Sequence, residues 1–141
     1  MSRVFWDTNL FIYLFEDYGK QSQLTAQLRQ KMLKRGDELL TSTLAIGEVL
    51  TGPEKTGNKQ LCKEYEEAIR LTAIVVNFDL NAAKKYALLR SRPPKISPPD
   101  AIQLACAAAA GVDLFLTNDT RLHNLHIDRI QFITSVDRAP I

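Results

Sequence analysis

Short apolar runs alternate along this chain with stretches whose apolar residues recur every three or four positions. Val4-Phe5-Trp6 is the first run and predicts a strand, after which Asp7-Thr8-Asn9 supplies side chains that favour a helix start before Leu10 to Phe15. Residues 21–35 place Leu24, Leu28 and Met32 four apart, with Lys31, Lys34 and Arg35 late, where the helix dipole favours cations, and Gly36 as the stop. Leu39 to Ser42 reads as a second strand, followed by a helix from about Thr43 that should end near Gly52-Pro53. Residues 58–71 have helical spacing, Ala73 to Val76 reads as a β-branched strand, and Leu80 to Arg90 as a further helix. Pro93-Pro94 and Pro98-Pro99 interrupt the chain before an apolar helical stripe from Ala101 to Ala109 that stops at Gly111. Leu114 to Thr117 and Ile130 to Ile133 predict two more strands, and the last residues carry no clear signal.

Strands alternating with helices imply right-handed crossovers and a mostly parallel sheet covered by helices on both faces, an α/β fold. No repeat or linker interrupts the pattern, so residues 1–141 read as a single domain. Composition agrees: 45% of the 141 residues are hydrophobic and 24% charged. A chain of this length buries roughly 68–70% of the surface it exposes when unfolded and needs no disulfide or structural metal. With 18 Lys+Arg against 16 Asp+Glu the net charge is +2, which alone does not announce nucleic-acid binding. Cys62 and Cys106 fall in helical stretches without zinc-type spacing, as expected for thiols in a reducing cytoplasm. No apolar run approaches the roughly 20 residues of a membrane span, and Met1-Ser2-Arg3 leads into the first strand without a signal-peptide pattern. A cytoplasmic protein is expected.

The candidate chemistry is acidic. In open α/β sheets ligands bind beyond the carboxyl ends of the strands. Asp7 follows the first strand, Asp119 the fourth, Glu48 lies within the helix after the second, and Asp100 opens the helix before the fourth. Each has a plainer explanation: Asp7 as a helix cap, Asp100 as the acidic end of a capping box begun by Ser97, Asp119 as a turn residue. Glu48 is harder to explain that way, because Thr43 to Leu50 is otherwise apolar and a buried carboxylate there requires a cationic neighbour. Four converging carboxylates repel one another unless a cation neutralises them. A hard divalent ion, Mg²⁺ or Mn²⁺, suits oxygen ligands, lowers the pKa of a bound water and stabilises charge on a phosphoryl group.

Val4-Phe5-Trp6-Asp7-Thr8-Asn9, Ala45-Ile46-Gly47-Glu48-Val49-Leu50-Thr51-Gly52, Pro99-Asp100-Ala101-Ile102-Gln103-Leu104-Ala105 and Leu116-Thr117-Asn118-Asp119-Thr120-Arg121-Leu122 together resemble the PIN-domain ribonucleases, particularly VapC-like toxins of toxin–antitoxin pairs. The resemblance runs in order over almost the whole chain. It implies a three-layer α/β/α sandwich around a parallel sheet of about five strands in the order 3-2-1-4-5, with strands one and four adjacent. Asp7, Glu48, Asp100 and Asp119 match the family's four acidic positions. Asp7 and Asp100 would bind or orient one metal ion, with Asp119 and Glu48 serving a second metal position or the waters of the first. Thr8 and Asn9 match the polar pair that supports the site, and Thr117 and Asn118 fall in the fourth motif. Trp6 and the doubled Pro98-Pro99 depart from the pattern without removing a ligand.

The implied activity is metal-dependent hydrolysis of single-stranded or looped RNA. The implied partners are a cognate antitoxin, which inserts a basic side chain among the acids, and a second copy of the chain. Arg90, Arg92 and Lys95 before Asp100, and Arg121 after Asp119, are candidate substrate-binding cations or simply a solvated surface. His123 and His126 lack a nucleophile partner and read as surface or packing residues. Two other readings use the same residues: a phosphatase of the haloacid dehalogenase type, which needs an aspartate where Asn9 stands, and a non-catalytic module whose acidic pocket receives a protein or RNA partner.

Overall fold

Alternation along each strand sorts the core onto two faces of one sheet. The computed structural model describes residues 1–141. Its strands are β1 (Arg3–Trp6), β2 (Glu38–Ser42), β3 (Ile74–Val76), β4 (Val112–Leu116) and β5 (Ile130–Thr134), and its helices α1 (Thr8–Phe15), α2 (Lys20–Arg35), α3 (Thr43–Lys55), α4 (Lys59–Thr72), α5 (Leu80–Ser91) and α6 (Pro98–Ala110). All strand pairs are parallel, in the order β3-β2-β1-β4-β5. Val4, Trp6, Leu39, Leu114 and Leu116 point to one face and pack with Leu10, Met32, Val49 and Ile69 of α1 to α4. Phe5, Leu40 and Phe115 point to the other and pack with α5 and α6 through Ala82, Leu104 and Ala107. The period of two in the strands thus produces three layers. Phe5 and Phe115 are register partners, with rings stacked at 5.1 Å.

Helix starts and stops follow local chemistry. Ser42, Asn58 and Asp79 accept backbone N–H bonds from Ala45, Leu61 and Ala82 at the heads of α3, α4 and α5. Gly36 ends α2 with φ 73°, in the left-handed region that glycine tolerates best. At the tail of α6, Arg3 donates to the carbonyls of Gly111 and Ala110, and Arg129 to that of Ala108. Two guanidinium groups so satisfy the carbonyls left free at a helix end.

Among the differences from the sequence expectation, three have a local physical cause. α3 runs past Pro53 to Lys55, because the Pro53 ring is buried and Thr56 and Asn58 donate to the carbonyls of Gly52 and Pro53. β4 begins at Val112, where polar Asp113 hid the apolar run; its carboxylate accepts the Arg3 backbone N–H. The tail carries a 3-10 turn, Val136–Arg138, whose buried Val136 packs with the α1–α4 core.

Candidate active site

β1 and β4 lie side by side at the centre of the sheet, and chain order reverses between them. Asp7 leaves β1 there, its backbone N–H donated to the Leu116 carbonyl at 3.1 Å. Its Oδ1 accepts from the Thr8 N–H at 2.7 Å and its Oδ2 from the Thr117 hydroxyl at 2.8 Å. The residue therefore caps α1 and also presents a carboxylate to the crevice. Thr117 accepts the Asp119 N–H at 3.1 Å, and its carbonyl takes a 2.7 Å hydrogen bond from Nε2 of His123, which therefore carries the proton. One threonine thus links the acids of β1 and β4.

Glu48 is exposed rather than buried, and it accepts the Thr8 hydroxyl at 2.6 Å. This corrects the expectation of a buried carboxylate in need of a cation: its turn of α3 faces the mouth of the crevice, where water solvates it. Thr8 accepts in turn from the Gln103 amide at 3.0 Å, and the Gln103 carbonyl oxygen accepts from the Ser42 hydroxyl. Thr8, Ser42 and Gln103 are all buried. Their relay joins α1, β2 and α6 beneath the acids, so each polar group is satisfied at low dielectric cost.

Asp100 is the third residue of α6, as a capping box requires, but the bonding differs. The Ser97 hydroxyl donates to the Asp100 carboxylate at 2.8 Å and caps no backbone N–H. Pro98 and Pro99 carry no N–H to be capped. Asp119 heads a 3-10 turn, Thr120–Leu122, and is gripped by Arg121: Nε reaches Oδ1 at 2.9 Å and Nη2 reaches Oδ2 at 2.6 Å. The same Nη2 stands 4.0 Å from Asp100.

All four acids are therefore brought to one crevice. Of the supporting residues, Thr8 and Thr117 touch the acids. Asn9 is exposed on α1, and the Asn118 amide turns to Gln21 of α2. Among the basic candidates, Arg121 touches the acids, Arg92 and Lys95 are exposed nearby, and Arg90 donates to the Ile96 carbonyl at 2.6 Å. Sequence reasoning missed Gln103 and Ser42. The one signal for Gln103 was a long amide inside an otherwise apolar stripe.

Charge in the crevice is uneven. Burial pushes the Asp7 carboxyl above its ordinary value, against the hydrogen bonds from Thr117 and Thr8, and repulsion from Asp100 and Glu48 adds to the rise. The hydrogen bonds from Arg121 hold Asp119 below the usual range. No three His, Cys, Asp or Glu side chains of the chain stand close enough together to hold a metal ion between them. Mg²⁺ keeps several waters and takes only one or two carboxylates directly, so an open set of hard oxygen donors, with one arginine beside it, fits such an ion.

A model of the PIN domain matches residues 4–127. The chain belongs to the PIN-domain family. No curated protein matches it at the sequence level. Among solved structures, this PIN domain is similar to VapBC2 from Rickettsia felis bound to a promoter DNA fragment, with TM-score 0.74 and 14% identity over 94% of this chain and 98% of that one. DNA-bound VapBC from Salmonella typhimurium matches with TM-score 0.72 and 19% identity over 96% and 99%. The sarcin-ricin-loop-cleaving toxin VapC20 of Mycobacterium tuberculosis matches with TM-score 0.67 and 16% identity over 87% and 96%. At these identities the likeness is one of fold.

Proposed function

We propose that this PIN domain is a Mg²⁺- or Mn²⁺-dependent endoribonuclease, the toxin of a cytoplasmic toxin–antitoxin pair. The observation that carries the reading is the meeting of Asp7, Glu48, Asp100 and Asp119 at the reversal between β1 and β4. Asp7 and Asp100 would hold the ion, and Asp119 and Glu48 would supply further oxygens or orient its waters. When bound, the ion supplies an acidified water and neutralises charge on the phosphoryl group. The chain's own residues do the positioning. Thr117 fixes the Asp7 carboxylate, and Thr8, braced by Gln103 and Ser42, fixes Glu48. Arg121, with its side chain 78% exposed, neutralises Asp119 in the free protein and can turn to a phosphate; Arg92 and Lys95 add positive charge for the strand.

An antitoxin partner is supported by the same ion pair, since the crevice already accepts one guanidinium in a two-pronged grip. A homodimer is supported by exposed Leu71, Ile74, Phe78 and Leu80 at the β3 edge. Two buried free cysteines suit a reducing compartment, and no helix is long and apolar enough to cross a membrane. The phosphatase reading finds no second carboxylate two residues after Asp7, where Asn9 is exposed.

The test is cleavage of a mixed cellular RNA pool with Mg²⁺ or Mn²⁺ and with EDTA, using the antitoxin-free protein, Asp7→Asn and Asp100→Asn. Loss of the metal-coordinating charge should lower cleavage by at least about a hundredfold in each variant. No metal-dependent cleavage by the folded wild type would favour the non-catalytic binding module instead.

A further inference from the structure

A groove of about 650 Å³ opens beside the acids, between the C-terminal half of α5, the proline-rich loop before α6 and the loop leading to β5. Its walls include Leu88, Leu89, Pro93 and Ile127, and its rim carries Lys85 and Arg92. Asp128 is its one acidic lining residue. The groove is continuous with the crevice: Arg121 lines it, and a neighbouring pocket of about 190 Å³ that includes Asp100 shares Pro94, Ile96, Arg121 and Leu125 with it.

The groove is built rather than incidental. Arg90 clamps the loop through the Ile96 carbonyl, and Ile96 itself is buried in the α5–α6 core. Yet Leu88, one helical turn after Lys85 and four residues before Arg92 at the end of α5, is 53% exposed. An apolar slot flanked by cations, leading to carboxylates that suit a phosphoryl-bound metal, complements one kind of ligand. That ligand is an unpaired nucleotide, whose flat base is apolar on its faces and whose phosphates are anionic.

We propose that this groove is a nucleotide subsite, taking the base and ribose of an unpaired RNA residue beside the scissile phosphate while Lys85 and Arg92 face the neighbouring phosphates. It rests on the ribonuclease reading but names a place and a chemistry which that reading does not. The volume falls within the roughly 300–1,000 Å³ of ordinary small-molecule sites. With His126 the one aromatic ring in the lining, the base lies against that imidazole, leucine and proline, so recognition tolerates different bases better than a hydrogen-bonded pocket would.

The test is metal-free binding, which does not depend on cleavage. Fluorescence anisotropy in EDTA at low salt would compare short fluorescein-labelled oligo(U) and oligo(A) with the same oligomers carrying central abasic residues. Wild type should prefer the intact strands by about tenfold, the scale of one base stacked on the protein. Leu88→Glu, on an exposed helix face, should keep the wild-type melting midpoint and lose that preference. Lys85→Gln with Arg92→Gln should lower the salt slope by about 0.7 for each phosphate that is no longer neutralised. Absent binding, equal binding of intact and abasic strands by wild type, or wild-type behaviour of Leu88→Glu would overturn the subsite. Groove-dependent binding without any cleavage of the RNA pool would sink the ribonuclease reading and leave the subsite standing.

Discussion

Asp7 shows how one residue serves fold and site at odds with each other. Its carboxylate caps α1, yet burial and the neighbouring acids raise its pKa above the ordinary value of 3.8. The folded protein therefore binds the Asp7 proton more tightly than the unfolded chain, and this group's contribution to stability falls as pH rises through the carboxylate range. Asp7→Asn keeps the oxygen that accepts the Thr8 N–H and removes the charge. Without metal at neutral pH its melting midpoint should equal or exceed that of wild type, the difference closing as pH drops towards the carboxylate range. Adding Mg²⁺ should then raise the wild-type midpoint more than the variant's. A variant midpoint several degrees lower in metal-free buffer would mean that Asp7 is chiefly a structural cap. The acids were legible in the sequence because each follows a strand or sits on a helix that flanks one. Gln103 was not, because its partners Ser42 and Thr8 lie 61 and 95 residues away and only the fold brings them together.

At the scale of elements, α6 has the most to hold in place, since it carries both Asp100 and Gln103. Its tail is fixed by Arg3 and Arg129 around Gly111, whose φ is 73°. A Cβ on Gly111 would lie 2.6 Å from the Arg129 guanidinium. Gly111→Ala therefore combines left-handed backbone strain with displacement of a capping arginine, and should destabilise the protein by about 1–2 kcal/mol in urea titration. Wild-type stability would show that the loop after α6 relaxes freely. Most elements were readable from periodicity, because strands buried on both faces appear as solid apolar runs and amphipathic helices as stripes. What misled was a residue whose usual meaning the tertiary structure overrides. Pro53 reads as a stop, but its buried ring and the donors that follow let α3 continue to Lys55. Asp113 reads as polar interruption, but it bonds across to the Arg3 backbone.

The groove and the exposed apolar edge lie at opposite ends of α5. Its C-terminal half walls the groove beside the acids, while its first residue, Leu80, joins Leu71, Ile74 and Phe78 around the β3 edge. Leu71 and Leu80 are 85% and 72% exposed, a heavy apolar load for residues so close in sequence. The β3 edge lies two strands from β1, on the side away from β4, so a second copy docked there leaves the crevice between β1 and β4 open. If this edge is the homodimer surface, Leu71→Glu with Leu80→Glu should convert the protein to a monomer in sedimentation velocity. Neither residue is packed against the rest of its own chain, so the melting midpoint should drop only by the contribution of the dimer interface. Cleavage of RNA should persist in the monomer, because every acid, the Thr8–Gln103 relay and Arg121 come from one chain. A variant that stays dimeric would move the interface to another face, and a folded monomer unable to cleave would mean that the partner copy helps to hold the RNA.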